Sequence, residues 1–141
     1  MQIKKILIIE DDPDVREGMH VRLRANGYET VFAADALGAI AEARKHSPDL
    51  ILLDLGLPAG DGFVVMERLA RLPALALIPI IVVSARDVRA NQERALKAGA
   101  KAFLQKPVDN AELLAVIKQA LGEPALPAGP VADTGEFPLI R

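Results

Sequence analysis

Four short apolar runs along the chain each end abruptly at a polar residue. Ile6-Leu7-Ile8-Ile9 stops at Glu10-Asp11-Asp12, and Leu50-Ile51-Leu52-Leu53 stops at Asp54. Ile80-Ile81-Val82-Val83 stops at Ser84, and Ala102-Phe103-Leu104-Gln105 stops at Lys106-Pro107. Runs this short and this rich in Ile, Val and Leu predict strands of a parallel sheet buried on both faces. A further strand is predicted over Tyr28 to Ala34.

The intervening segments have helical spacing. Asp12-Pro13 supplies an N-cap and a first-turn proline, Val15, Met19 and Leu23 mark one face, and Asn26-Gly27 stops the helix. The second helix carries Leu37, Ile40 and Ala41 and ends at Ser47-Pro48; the third presents Phe63, Met66 and Leu69-Ala70 after the loop Pro58 to Gly62. Asp87 to Ala98 is helical but poor in apolar residues, with Val88 and Leu96 as its main anchors, and Gly99 ends it. The last helix starts at Asp109 and lines up Leu113, Val116, Ile117, Ala120 and Leu121. Five strand–helix repeats with short loops and right-handed crossovers predict an α/β, doubly wound sandwich.

Ligands of such a sheet bind outside the carboxyl ends of its strands. Four strands therefore deliver paired acids, a lone acid, a hydroxyl and a lysine to one edge, which is the chemistry of a phosphate-and-metal site. Each residue also has a plainer role. Acids after a first strand often cap the next helix, and Asp12 is read that way. Asp61-Gly62 is read as a turn and cap, Met19 and Met66 as core, and His20 and His46 as surface residues rather than ligands.

Composition narrows the picture. At 141 residues, 51% hydrophobic and 26% charged, the chain reads as one folded domain over residues 1–121. Residues 122–141 hold Pro124, Pro127, Pro130 and Pro138 without periodicity and are expected to be a linker or disordered tail. A net charge of -2 leaves no basic surface for nucleic acid or an anionic membrane, and the absence of cysteine excludes thiol chemistry. The apolar run at Ile6 is too short for a signal peptide, and no stretch approaches the roughly 20 apolar residues of a membrane span. A soluble, cytoplasmic protein is expected.

The motifs Leu7-Ile8-Ile9-Glu10-Asp11-Asp12, Leu53-Asp54-Leu55-Gly56-Leu57-Pro58, Asp61-Gly62, Val83-Ser84-Ala85 and Lys106-Pro107, taken in order, closely resemble the receiver domain of bacterial two-component response regulators. The resemblance covers Ile3 to about Leu121. It implies a flavodoxin-like (βα)5 three-layer sandwich with strand order 2-1-3-4-5, so that Asp11 and Asp54 face each other across one crevice. It further implies that Asp54 is a nucleophile forming an aspartyl-phosphate. Mg²⁺ would be held by Glu10, Asp11, Asp54 and the backbone carbonyl of Gly56. Lys106 and Ser84 would each bind a phosphoryl oxygen, and the donor would be a histidine kinase or phosphotransfer protein. Ser84 and Phe103 would form the switch: phosphate draws the hydroxyl inward, Phe103 turns in after it, and the helix 4–strand 5–helix 5 surface changes for an output domain or effector protein. The family pattern also implies a cis Lys106–Pro107 bond, and places Gly56 and Arg86 beside the path of hydrolytic water.

Two departures qualify the resemblance. Phe103 lacks the hydroxyl of the commoner tyrosine. Ala100-Lys101 stands where winged-helix regulators carry two aspartates that pair across a dimer, so such a dimer is not expected, nor is DNA binding by residues 122–141. Two other functions compete with the signalling role. One is a Mg²⁺-dependent aspartate-based phosphatase, which generally carries a second aspartate where this chain has Gly56. The other is a pseudo-receiver that only binds, against which the complete set of acids, hydroxyl and lysine argues.

Overall fold

Successive residues of the apolar runs turn to opposite faces of one sheet, and this alternation builds two separate cores. The computed structural model describes residues 2–58 and 61–124. Five strands, β1 (Lys5–Ile9), β2 (Glu29–Ala33), β3 (Leu50–Leu53), β4 (Ile80–Ser84) and β5 (Ala102–Gln105), form one parallel sheet in the order β2-β1-β3-β4-β5. Leu7, Ile9, Ile51, Leu53, Val82 and Phe103 contribute to one core. Ile6, Ile8, Leu50, Leu52, Ile81, Val83 and Leu104 contribute to the other. Because both faces are covered, the three central strands read as continuous apolar runs rather than alternating ones.

Helices α1 (Pro13–Ala25) and α5 (Asn110–Leu121) cover the second core through Met19, Leu23, Leu113, Leu114 and Ile117. Helices α2 (Ala36–His46), α3 (Gly62–Ala70) and α4 (Val88–Lys97) cover the first. All five begin at an aspartate whose carboxylate accepts first-turn amides: Asp12, Asp35, Asp61, Asp87 and Asp109. The expected sandwich and strand order are both present.

Two helix faces differ from the sequence expectation. In α2 the buried residues are Ala36, Ala39 and Ala43, while Leu37 is 69% exposed and Ala41 is exposed. The alanines let the helix backbone lie close to the sheet, so the closest-packed stripe is the one with the smallest side chains. In α4, Leu96 points largely to solvent; Ala95, fully buried, and the partly buried Val88 hold the helix instead. The second strand is one residue shorter at each end than expected. Of the expected tail, 125–141 lies outside the described residues.

Candidate phosphoryl and metal site

Strand register brings the polar ends together. Ile9 pairs with Leu53, so Glu10 and Asp54 leave adjacent strands at the same level. The ladder continues past both strands: the Asp54 amide donates to the Ile9 carbonyl at 3.0 Å, and the Glu10 amide donates to the Ala33 carbonyl at 3.0 Å. On the other side, Ser84 pairs with Gln105, and the Lys106 amide donates to the Ser84 carbonyl at 2.9 Å. The Lys106–Pro107 peptide bond is cis, as expected.

Glu10, Asp54 and Ser84 are the buried polar residues among those described, and all three sit at this one edge. Burying ionisable groups is costly unless they are paired. Lys106 provides the pairing, its Nζ lying 2.5 Å from Glu10 Oε1 and 3.4 Å from Asp54 Oδ2. Glu10 Oε2 accepts the Asp12 amide at 3.1 Å, and Asp54 Oδ1 accepts the Gly56 amide at 3.2 Å. Burial pushes the Glu10 carboxyl above its ordinary range, against the opposing pull of Lys106 and the Asp12 amide. For Lys106, burial would lower the ammonium's pKa. The hydrogen bond to Glu10 and the charges of Asp54 and Glu10 outweigh it and leave the group raised.

Asp11 is exposed but completes an acid triad in which carboxylate oxygens of Glu10, Asp11 and Asp54 lie within 4.8 Å of one another. Three carboxyl groups against one ammonium gather hard oxygen donors at one point. That arrangement fits a small divalent cation such as Mg²⁺. Gly56 is exposed, and a Cβ there would meet only Asp54 Oδ1 at 3.9 Å, so its flank of the site is open.

Every residue expected at the site is thus on this edge or adjoins it. Ser84 is fully buried and its Oγ accepts the Arg86 amide at 3.2 Å. Phe103 is already turned in, 8% exposed and in the same core as Val82, Ala95 and Ala100.

Three contacts at the site were not legible in the sequence. Arg16 donates from its guanidinium to the Glu10 carbonyl at 3.0 Å, bracing the acid turn from α1. Arg86 and Asp61 form an ion pair at 3.5 Å that joins the β4–α4 and β3–α3 loops. Gly62 packs so tightly on the end of β3 that a Cβ would lie 2.7 Å from the Asp54 carbonyl oxygen. A glycine directly after a capping aspartate, where no turn demands it, was the available signal for the last.

The fold and site define a doubly wound α/β protein with an acid-and-lysine centre at the switch point of its sheet. The response regulator receiver domain family matches residues 6–118, and the chain belongs to that family, a signalling domain of two-component systems. It is 34% identical over 135 residues to the transcriptional regulatory protein KdpE of Mycobacterium tuberculosis, covering 94% of this chain and 58% of that one. The chain spans little more than half the length of such regulators. Against the polar-differentiation response regulator DivK of Brucella anthropi it is 34% identical over 120 residues, covering 85% of this chain and 98% of DivK. Among solved structures, a CheY-like receiver domain protein of Methanospirillum hungatei superposes with a TM-score of 0.80 at 31% identity, covering 86% of this chain and 95% of that one. The receiver domain of the sensor histidine kinase PA1611 of Pseudomonas aeruginosa, with magnesium in its active-site cleft, superposes at 0.79 with 30% identity, over 86% of this chain and all of that one. Among the described residues no helix is long and apolar enough to cross a membrane.

Proposed function

We propose that Asp54 is the phosphoacceptor of a Mg²⁺-dependent transfer from the phosphohistidine of a histidine kinase or phosphotransfer protein, acting in the cytoplasm. The observation that carries this reading is the convergence of Glu10, Asp54 and Ser84, otherwise costly to bury, around Lys106. An Asp54 carboxylate oxygen attacks phosphorus as the phosphorus–nitrogen bond to histidine breaks. The Lys106 ammonium, already within reach of Asp54, moves onto a phosphoryl oxygen and offsets the repulsion between two anions. The Ser84 hydroxyl exchanges its present bond with the Arg86 amide for another phosphoryl oxygen, so the β4–α4 loop moves with it.

Glu10, Asp11, Asp54 and the Gly56 carbonyl would hold Mg²⁺, which when bound neutralises phosphoryl charge and orients the group for in-line transfer. Between α1 and α5 an apolar groove of about 440 Å³, lined by Val15, Met19, Pro107, Val108 and Leu113, runs up to Lys106. A helix of the phosphohistidine-bearing partner lying there would bring its imidazole to Asp54. Ser84 and Phe103, with the β4–α4 loop, switch the output surface of α4, β5 and α5. It is read by an output domain or effector protein through a population shift.

An aspartate-based phosphatase would need a second acid where Gly56 stands, and no observation favours it. Incubation with acetyl phosphate and Mg²⁺ is expected to add the mass of one phosphoryl group, and Asp54→Asn to abolish the gain while keeping the fold. Full labelling of that mutant refutes the assignment.

A further inference from the structure

Asp61 uses its two carboxylate oxygens for different tasks. Oδ1 accepts the Phe63 amide at 2.9 Å and the Val64 amide at 3.4 Å, capping α3. Oδ2 takes the Arg86 guanidinium at 3.5 Å. Both residues are anchored through the backbone beside the site. The Gly62 amide donates to the Leu55 carbonyl at 2.9 Å, tying Asp61 to the exit of β3. The Arg86 amide donates to Ser84 Oγ, and the Arg86 carbonyl accepts from the Gln105 side chain at 3.5 Å. Only the Arg86 side chain is left to choose a partner. Asp61 is its charged partner among the described residues, and with side-chain exposures of 37% and 34% the pair is loose.

We propose that Asp61 competes with the phosphoryl group on Asp54 for Arg86, and so sets how long the phosphorylated form lasts. The proposal rests on the reading of Asp54 as the acceptor. A phosphoryl group offers the guanidinium fork more charge and more acceptor oxygens than one half-exposed carboxylate oxygen. Hydrolysis forms a bond from water oxygen to phosphorus as the phosphorus–oxygen bond to Asp54 breaks, releasing the carboxylate and inorganic phosphate. A guanidinium lying across the phosphoryl oxygens narrows the approach of that water, and the bare flank at Gly56 provides no second barrier. Each moment that Arg86 spends on Asp61 leaves the approach open. Asp61 is in this sense a positioning residue that acts through Arg86.

The substitution Asp61→Asn isolates the effect, since asparagine caps a helix as well as aspartate does but carries no charge for Arg86. The full chain is phosphorylated with acetyl phosphate and Mg²⁺, the donor is removed, and loss of phosphoryl mass is followed in time. Asp61→Asn is expected to lengthen the lifetime by about 1.5- to 5-fold, the range that an exposed pair can supply. Arg86→Ala is expected to shorten it, and the double mutant to match Arg86→Ala alone. A merely structural role for Asp61 would not disappear when Arg86 is removed. An unchanged or shorter lifetime in Asp61→Asn, or a lengthening that persists in the Arg86→Ala background, overturns the competition while leaving Asp54 as acceptor. Failure of the wild-type chain to gain a phosphoryl group overturns the acceptor reading and this inference with it.

Discussion

Replacing Gly62 with alanine should damage both the fold and the site, although alanine is the better helix former. The added Cβ would lie 2.7 Å from the Asp54 carbonyl oxygen, 2.9 Å from Leu55 Cα and 3.0 Å from Leu55 Cδ2. Two of these neighbours are backbone, so no side-chain rotation relieves the contact. The start of α3 must instead back away from the end of β3, stretching the 2.9 Å bond from the Gly62 amide to the Leu55 carbonyl. Forcing an extra carbon into close-packed surroundings costs about 1–3 kcal/mol. The propensity gain of alanine over glycine is at most about 1 kcal/mol in a helix interior and less at the first position of a helix. A net loss of about 1–2 kcal/mol is expected, a fall in Tm of roughly 3–10 °C for a domain of this size. Thermal unfolding measures it directly, and phosphoryl uptake from acetyl phosphate measures the site, because the crowded backbone is that of Asp54 itself. Uptake should slow in Gly62→Ala even well below its Tm. A mutant as stable as wild type and labelled at the same rate would refute the close approach as a constraint on the site.

Tyr28 should make the protein sensitive to alkali. Its hydroxyl donates to Glu123 Oε1 at 2.7 Å, and burial, then Glu123, raise its pKa far above the ordinary 10.0. Above about pH 10 the unfolded chain loses this proton while the folded chain keeps it, so stability is full below that pH and declines above it. Urea unfolding at about pH 8 and about pH 11 should show a smaller alkaline loss for Tyr28→Phe, which itself costs about 1 kcal/mol at neutral pH. An equal loss in both proteins would place the sensitivity elsewhere. Helix α4 is held by Ala95, Val88 and the Arg94 guanidinium 3.7 Å from the Phe63 ring. Its amides should exchange faster than those of α1 and α5, and beryllofluoride with Mg²⁺ should change exchange chiefly there and in the β4–α4 loop. Uniform protection across the helices would contradict this account.

Much of the fold was legible in the residues because it depends on local chemistry. Runs such as Ile6–Ile9 and Leu50–Leu53 can be buried only between two helical layers, and the polar residues that end them must then share the carboxyl edge. The capping aspartates Asp12, Asp61 and Asp109 marked helix starts for the same local reason. The acids, hydroxyl and lysine of the site followed from those strand ends. What the chain could not disclose are choices between surfaces of similar composition. Which face of α2 is buried depends on how closely alanines let the helix approach the sheet, and Leu37 lost that competition despite its size. That the Phe103 ring packs into one core with Val82 and Ala95 depends on the neighbouring elements. The Asp61–Arg86 pair joins loops 25 residues apart, and the constraint on Gly62 comes from a strand end that only packing brings within 3 Å. Burial and capping are written along the chain, whereas close approach and competing partners exist only once the layers have stacked.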